Sequence, residues 1–268
     1  MVLVNQRIVG KVTEVAPDLV TYKMADDDVL HKINKVDLIK ICFGNGKVEQ
    51  SPLLNVPLVA FPEEWANVRI VERPQDIQGV YKIDDIMYIG NTLSETGKNS
   101  LKMATAMMGG NIVHINESRQ VASTGYVSTP VNYNARNSAY VSHPYTRTYT
   151  QTIARIYTSQ LPDSVSFREM ILQNPVFSLV NHMKLIGNWR YRLAWREVIP
   201  KDFRISKYSI EEGNIFVHLK LPDISTTKFH VNFFDKTRLI VSYRTRWLTK
   251  YHTLTFLIKP QSFAANKK

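Results

Sequence analysis

A chain of 268 residues with 44% hydrophobic and 10% aromatic content has enough apolar material for globular cores, in one large domain or two to three small ones. Its single cysteine, Cys42, excludes an intramolecular disulfide framework and a multi-cysteine zinc site, and no apolar run approaches the roughly 20 residues of a membrane-spanning helix. The net charge of +11 is unevenly placed: residues 161–268 hold eighteen basic and eight acidic side chains, and residues 121–160 three arginines and no acid, so an anionic partner is expected at the C-terminal part.

The first residues, MVLVNQRIVGKVTEV, lack the charged start and apolar centre of a signal peptide. RIVGKVTEV, LVTYKMA and VLHKINKVDLIKICF carry alternating and β-branched residues, which predict a small, strongly curved antiparallel sheet. Asn45-Gly46 supplies left-handed dihedrals for a hairpin turn, and Cys42, in apolar alternation with Leu38 and Phe43, is expected to be buried. Asp26, Asp27 and Asp28 read as a solvated loop tip, since the alternating ligands and glutamate of a calcium loop are missing. GKVTEVAPDLVTYK followed by VDLIKICFGNGKVE resembles a repeated pattern of uncharacterised, lipoprotein-like Bacteroidota cell-envelope proteins. The resemblance implies a small Sm-like β-barrel over residues 1–56 and a periplasmic or outer-membrane-associated location, and it brings no assigned chemistry.

PLLNVPLVAFPEEW, with three of the twelve prolines, reads as a linker. After it, NVRIVE and YKIDDIMYIGNT read as strands, Leu101 to Met108 as a helix and NIVHINES as a strand, giving an α+β unit over residues 57–160. The stretch GNTLSETGKNSLKMATAMMGGNIVHI suggests a phosphate-binding loop, but six residues separate Gly90 from Gly97 and Asn99 follows Lys98. A Walker loop needs four residues there and then Ser or Thr. The alternative is a capped core helix, with Thr92 as N-cap and Glu95 at N3, or Ser94 capping a slightly later start. Leu101, Ala104, Met107 and Met108 form its apolar stripe and Gly109-Gly110 its stop. LKMATAMMGGNIVHI also resembles the AA-x-x-GaN-x-V-x-i helix-to-strand signature of small bacterial envelope domains, which implies a long loop and then a closing strand, here Thr152 to Thr158. Between these strands, residues 121–150 form a polar insertion in which 17 of 30 are Ser, Thr, Asn or Tyr. It reads as a loop or long hairpin, and Tyr126, Tyr133, Tyr140, Tyr145 and Tyr149 make it a candidate contact surface.

From residue 161, a cap at Asp163 or Ser164 and a break at Pro175 predict one or two short helices. Six strands follow: NWRYRLAWREV, FRISKYSI, NIFVHLKL, KFHVNFF, RLIVSYRTRW and YHTLTFLIK, with a turn at Glu211 to Asn214, as a meander or barrel-like antiparallel sheet. Gly187-Asn188-Trp189 matches the G-x-W of lipocalins. Trp189, Tyr191, Leu193 and Trp195 alternate with Arg190, Arg192, Ala194 and Arg196, and Tyr243, Thr245 and Trp247 with Arg244, Arg246 and Lys250. If these strands are neighbours, Arg190, Arg192, Arg196, Arg244, Arg246 and Lys250 form one patch for phosphate, sulfate or carboxylate groups.

His31, His114, His143, His182, His218, His230 and His252 show no H-x-x-x-H spacing and no adjacent acidic ligands, so no metal site is expected. G-x-S-x-G is absent, and Cys42 has no histidine beside it in sequence. The chain reads as α+β, mostly β, without catalytic residues or cofactor. Its expected role is a cell-envelope structural or interaction protein that binds a protein partner or an anionic lipid or glycan surface through its C-terminal sheet. The alternatives are a cytoplasmic nucleic-acid-binding protein using the same basic sheet, and a protein whose C-terminal sheet encloses an apolar ligand.

Overall fold

The computed structural model describes residues 2–3, 8–16, 19–92, 94–130, 140–187, 190–221, 224–245 and 250–259. It is mostly β with few helices, as expected. The N-terminal part holds β1 (Val2–Leu3), β2 (Gly10–Val15), β3 (Leu19–Met24), β4 (Leu30–Asn34), β5 (Leu38–Cys42) and β6 (Val48–Gln50). These form two open three-stranded sheets, β2-β3-β4 and β1-β5-β6, and not the expected closed barrel. Closure requires every strand to be paired on both sides. Here the 3-10 turn Lys35–Asp37 parts β4 from β5 and passes the chain to the other sheet, leaving an unpaired edge on β2, β4, β1 and β6.

The hairpin at Asn45-Gly46 is present: Gly46 N donates to Phe43 O at 3.0 Å, and only Gly46, at φ 84°, takes the left-handed conformation. Cys42, expected to be buried, is exposed. The register between β1 and β5 shifts after the Leu3–Leu38 pair, which moves the pleat by one residue. Leu38 and Ile41, each 4% exposed, therefore face inward, and Cys42 faces out with Lys40.

In the middle of the chain come β7 (Arg69–Val71), β8 (Tyr81–Ile89), α1 (Glu95–Met107), β9 (Ile112–Pro130) and β10 (Tyr140–Thr158). Their sheet order is β7-β9-β10-β8, with β7 parallel to β9 and the other pairs antiparallel. Ser94, not Thr92, caps α1: its Oγ accepts from Gly97 N at 3.1 Å, while Thr92 is buried. Leu101, Ala104, Met107 and Met108 are all buried, and Gly109 at φ 78° ends the helix by donating to Ala106 O at 3.0 Å. The proline-rich stretch before β7 makes the 3-10 turns Pro52–Asn55 and Pro62–Asn67 and buries Leu53, Val56 and Val59.

The C-terminal part holds α2 (Ser164–Leu172), β11 (Val176–Ile186), β12 (Arg192–Arg196), β13 (Lys201–Phe203), β14 (Lys207–Glu211), β15 (Asn214–His218), β16 (Lys228–Phe234), β17 (Arg238–Arg244) and β18 (Tyr251–Lys259). They form one open sheet in the order β12-β11-β18-β17-β16-β15-β14, with β13 beside the start of β11. One expected helical segment is a strand. After α2, capped by Asp163 and ended at Asn174 (φ 49°), the chain runs from Val176 to Ile186 as β11, between β18 and β12. Long-range pairing on both sides outweighs the weak local preference of that stretch.

α1 lies between the two larger sheets. One core joins Ile86, Tyr88, Val113 and Ile156 of the central sheet, Leu101 and Met107 of α1, and Met183, Leu185 and Tyr251 of the C-terminal sheet. The helix's last carbonyl, Met107 O, which has no partner within the helix, accepts from Thr253 Oγ1 at 2.9 Å and Asn232 Nδ2 at 3.3 Å. A second core lies under α2, around Phe167, Phe177, Phe229 and Phe256.

Asn111, fully buried, joins three segments at the helix exit. Its backbone N donates to Tyr157 O at 3.1 Å and its carbonyl accepts from Arg69 N at 2.9 Å. Its Nδ2 faces Val56 O (3.0 Å), Pro57 O (3.1 Å) and Ser159 Oγ (2.7 Å), while Oδ1 accepts from Ser159 N at 3.0 Å. Asn111→Ala leaves several of these groups buried without partners and is expected to cost ~3 kcal/mol or more in urea unfolding. Met107→Ala is expected to cost ~2–5 kcal/mol, and Lys98→Ala to stay within ~0.5 kcal/mol; a neutral Asn111→Ala would remove this residue from the centre of the fold.

Candidate functional site at the basic margin of the C-terminal sheet

β12 is the edge strand, and its register places Arg196 opposite His182, Ala194 opposite Lys184 and Arg192 opposite Ile186 on β11. Across the next pairs, Lys184 stands opposite His252 on β18 and His252 opposite Tyr243 on β17. Side chains paired across strands project to the same face. Arg192, Arg196, Lys184, His182, His252 and Tyr243 therefore share one face at this margin.

At its centre are three buried rings. His182 Nε2 and His252 Nδ1 are 2.9 Å apart, so one ring donates and the other accepts, which requires at least one neutral imidazole. Tyr243 stacks on His252 with centroids 4.6 Å apart and planes within 7°. The three side chains are only 4%, 7% and 6% exposed, and His252 Nε2 is buried without a partner. Burial, then the charges of Arg196 and Lys184, lower the His182 pKa to about 4. Burial also lowers His252 to about 4, helped by His182, Lys184, Arg196 and Lys250. Burial pushes Tyr243 up to about 12, against the pull of Arg196.

Some cations of the protein are neutralised by carboxylates. Lys82 meets Asp85 at 2.7 Å, Lys228 meets Glu211 at 2.7 Å and Lys259 meets Asp202 at 2.8 Å. Among the described residues, Lys184, Arg190, Arg192, Arg196 and Lys250 take part in no such ion pair, and all but half-buried Lys184 are exposed.

The expected six-residue patch is thus divided. β12 and β17 are not neighbours; β11 and β18 separate them by about 14 Å at ordinary strand spacing. Arg244 points to the other face, where its Nη1 donates to Asp85 O at 2.9 Å and lies 3.7 Å from Asp84 Oδ2, tying the sheet to β8. Arg246, Trp189 and Trp247 lie outside the described residues. On the side expected to be aromatic, Tyr191 is buried and Leu193 packs on the core, but Trp195 is 61% exposed. Lys184 and His182 were missed because Val176–Ile186 read as helix, and Tyr243, expected on the aromatic side, joins them here through its pairing with His252. Read as a strand, the alternation of His182 and Lys184 would have placed both on the face of Arg192 and Arg196.

The polar insertion is a long hairpin, with β9 and β10 paired from Ile112–Tyr157 to Pro130–Tyr140 apart from one register shift at Asn116, between Ile153 and Ala154. β8 accompanies β10 only as far as Gln151. Beyond it a two-stranded ribbon extends about 35 Å, at ~3.3 Å per residue. Tyr126, Tyr140 and Tyr145 are 75%, 65% and 47% exposed, and Tyr149 is half-buried. The pairing puts Tyr145 and Tyr149 on one face, and the direct partners of Pro144 and Pro130, Tyr126 and Tyr140, on the other. Tyr133 lies outside the described residues.

No family model, curated protein or solved structure matches this chain. Among the described residues no group of three or more His, Cys, Asp or Glu side chains is arranged to hold a metal ion. The margin offers fixed positive charge around neutral rings, an arrangement suited to binding anions.

These rings also set an acid sensitivity. His182 and His252, with His230 lowered to about 4 chiefly by burial, hold folded-state pKa values below the ordinary 6.5. The unfolded chain therefore takes up protons first on acidification. The stability from burying neutral rings is whole above pH ~6.5 and is lost as pH falls towards ~4. The melting temperature is expected to fall through this window, with the three imidazole C–H NMR resonances titrating near pH 4; midpoints near 6.5 would mean that the rings are open to water.

Proposed function

We propose that this protein is a non-enzymatic interaction protein that binds an anionic partner surface through the basic margin of its C-terminal sheet. The observation that carries the reading is the gathering of Lys184, Arg190, Arg192, Arg196 and Lys250, which lack carboxylate partners among the described residues, at one margin around the buried His182–His252 pair. Five unneutralised charges on two strands and their flanks repel one another, and an anion relieves that repulsion. The ribbon provides a second contact. An isolated two-stranded ribbon is marginal in water, and exposed Tyr126, Val127, Tyr140 and Tyr145 suit a partner that covers them.

The N-terminal resemblance to Bacteroidota envelope proteins favours anionic lipid or lipopolysaccharide, at the periplasmic face or outer membrane, over nucleic acid. An apolar ligand is disfavoured because Phe167, Phe177, Phe229 and Phe256 already fill the space under the C-terminal sheet.

The test is co-sedimentation with phosphatidylglycerol-containing vesicles and, separately, with RNA, at low and physiological salt. Binding to vesicles is expected to weaken as salt rises, and Arg192→Glu with Arg196→Glu to weaken it roughly tenfold or more without unfolding. Arg244→Gln, on the opposite face, is expected to leave binding unchanged. Stronger binding to RNA at equal ionic strength would favour the nucleic-acid reading, and equal behaviour of wild type and the double variant in both arms would overturn the margin as the site.

A further inference from the structure

Away from the basic margin, a cleft of about 500 Å³ opens where the N-terminal part, the central sheet and the β14–β15 turn meet. The most deeply buried of its lining residues is His114, 2% exposed. Its Nδ1 lies 3.0 Å from Val71 O, which can only accept, so Nδ1 carries the proton and Nε2 presents a lone pair. That Nε2 is buried and has no partner. A buried acceptor in this state calls for a donor from outside the chain.

Glu212 gives an independent sign. It occupies the first position of the two-residue turn between β14 and β15 at φ 49°, ahead of Gly213 at φ 82°. Such turns favour Asn, Asp or Gly, and a glutamate there is strained. Adjacent Glu211 binds Lys228 at 2.7 Å, whereas Glu212 has no ion pair among the described residues, and its side chain lines the cleft. A strained residue that offers an unneutralised carboxylate to a cavity is a pattern of binding sites.

The lining charges balance. Asp37 and Glu212 oppose Lys82 and Arg155, and the two cations are held along the sheet by Asp85, at 2.7 and 3.5 Å. A simple anion gains little here, in contrast to the basic margin, and the charged rim is unsuited to an apolar molecule. The remaining wall provides the Asn116 amide and the rings of Tyr81 and Tyr157.

We infer that this cleft binds a neutral saccharide of one or two rings. Sugar hydroxyls both donate and accept. They satisfy His114 Nε2, Asp37 and Glu212 as donors, accept from Asn116, Lys82 and Arg155, and set their C–H faces against the tyrosine rings. The cleft volume lies in the range of small-molecule sites.

The test uses the full chain with glucose, N-acetylglucosamine and maltose at up to tens of millimolar, followed by calorimetry and by the imidazole nitrogen resonances of His114. At least one sugar is expected to bind and to shift the Nε2 signal, as a new O–H donor would. Asn116→Ala is expected to weaken binding about fivefold or more. Glu212→Gly should raise the melting temperature by relieving the turn and yet lower sugar affinity by at least about fivefold, a combination that a purely structural glutamate would not produce. Absence of binding by all three sugars, binding indifferent to both variants, or preference for dialanine or inorganic phosphate at the same concentrations would overturn the inference.

Discussion

The architecture depends on complete hydrogen bonding of one buried amide. Asn111 follows the glycines that end α1, and from there the chain must start a strand while the proline-rich stretch, β7 and the end of β10 all arrive at the same point. Each arriving segment brings backbone groups that water can no longer reach. The asparagine has two hydrogens and an acceptor in one plane, which meet Val56 O, Pro57 O and both polar groups of Ser159. Aspartate would set its charge against those carbonyls, and leucine would leave them bare. This gives a physical basis to the order Gly109, Gly110, Asn111 at the helix exit.

With that junction closed, α1 lies between two sheets and couples them. Its apolar stripe faces residues of both, and Met107 O at its end is satisfied by Thr253 and Asn232 of the C-terminal sheet. Arg244 adds a further tie by donating to Asp85 O across the same interface. A cation that looked free to meet a partner is thus used for internal assembly.

Charge is distributed by the same logic. Where the central and C-terminal sheets pack on each other, Arg244 finds a carboxylate and a carbonyl. At the sheet edge no packed neighbour supplies them, and Lys184, Arg192 and Arg196 surround rings kept neutral by burial. The His114 cleft combines both signs with a buried, unpartnered acceptor. The two places therefore select different ligand chemistry within a chain of net charge +11.

Local chemistry was legible in the sequence wherever a few neighbouring residues settle the outcome. The turn at Gly46, the loop tip at Asp26 to Asp28, the apolar stripe of α1, its stop at Gly109, the cap at Asp163 and the strands from Phe229 to Phe256 follow from side-chain period and backbone freedom. Tertiary structure decided whatever depends on which strands meet. A shift in the β1–β5 register turned Cys42 outward, an interposed 3-10 turn kept the N-terminal sheets open, and pairing with β12 and β18 made a strand of Val176–Ile186. The same pairing moved Arg244 out of the basic patch and brought Lys184, His182 and His252 into it. Alternation along one strand fixes which residues share a side, but not which side faces the core or which strand lies next, because those are set by contacts between residues far apart in the chain.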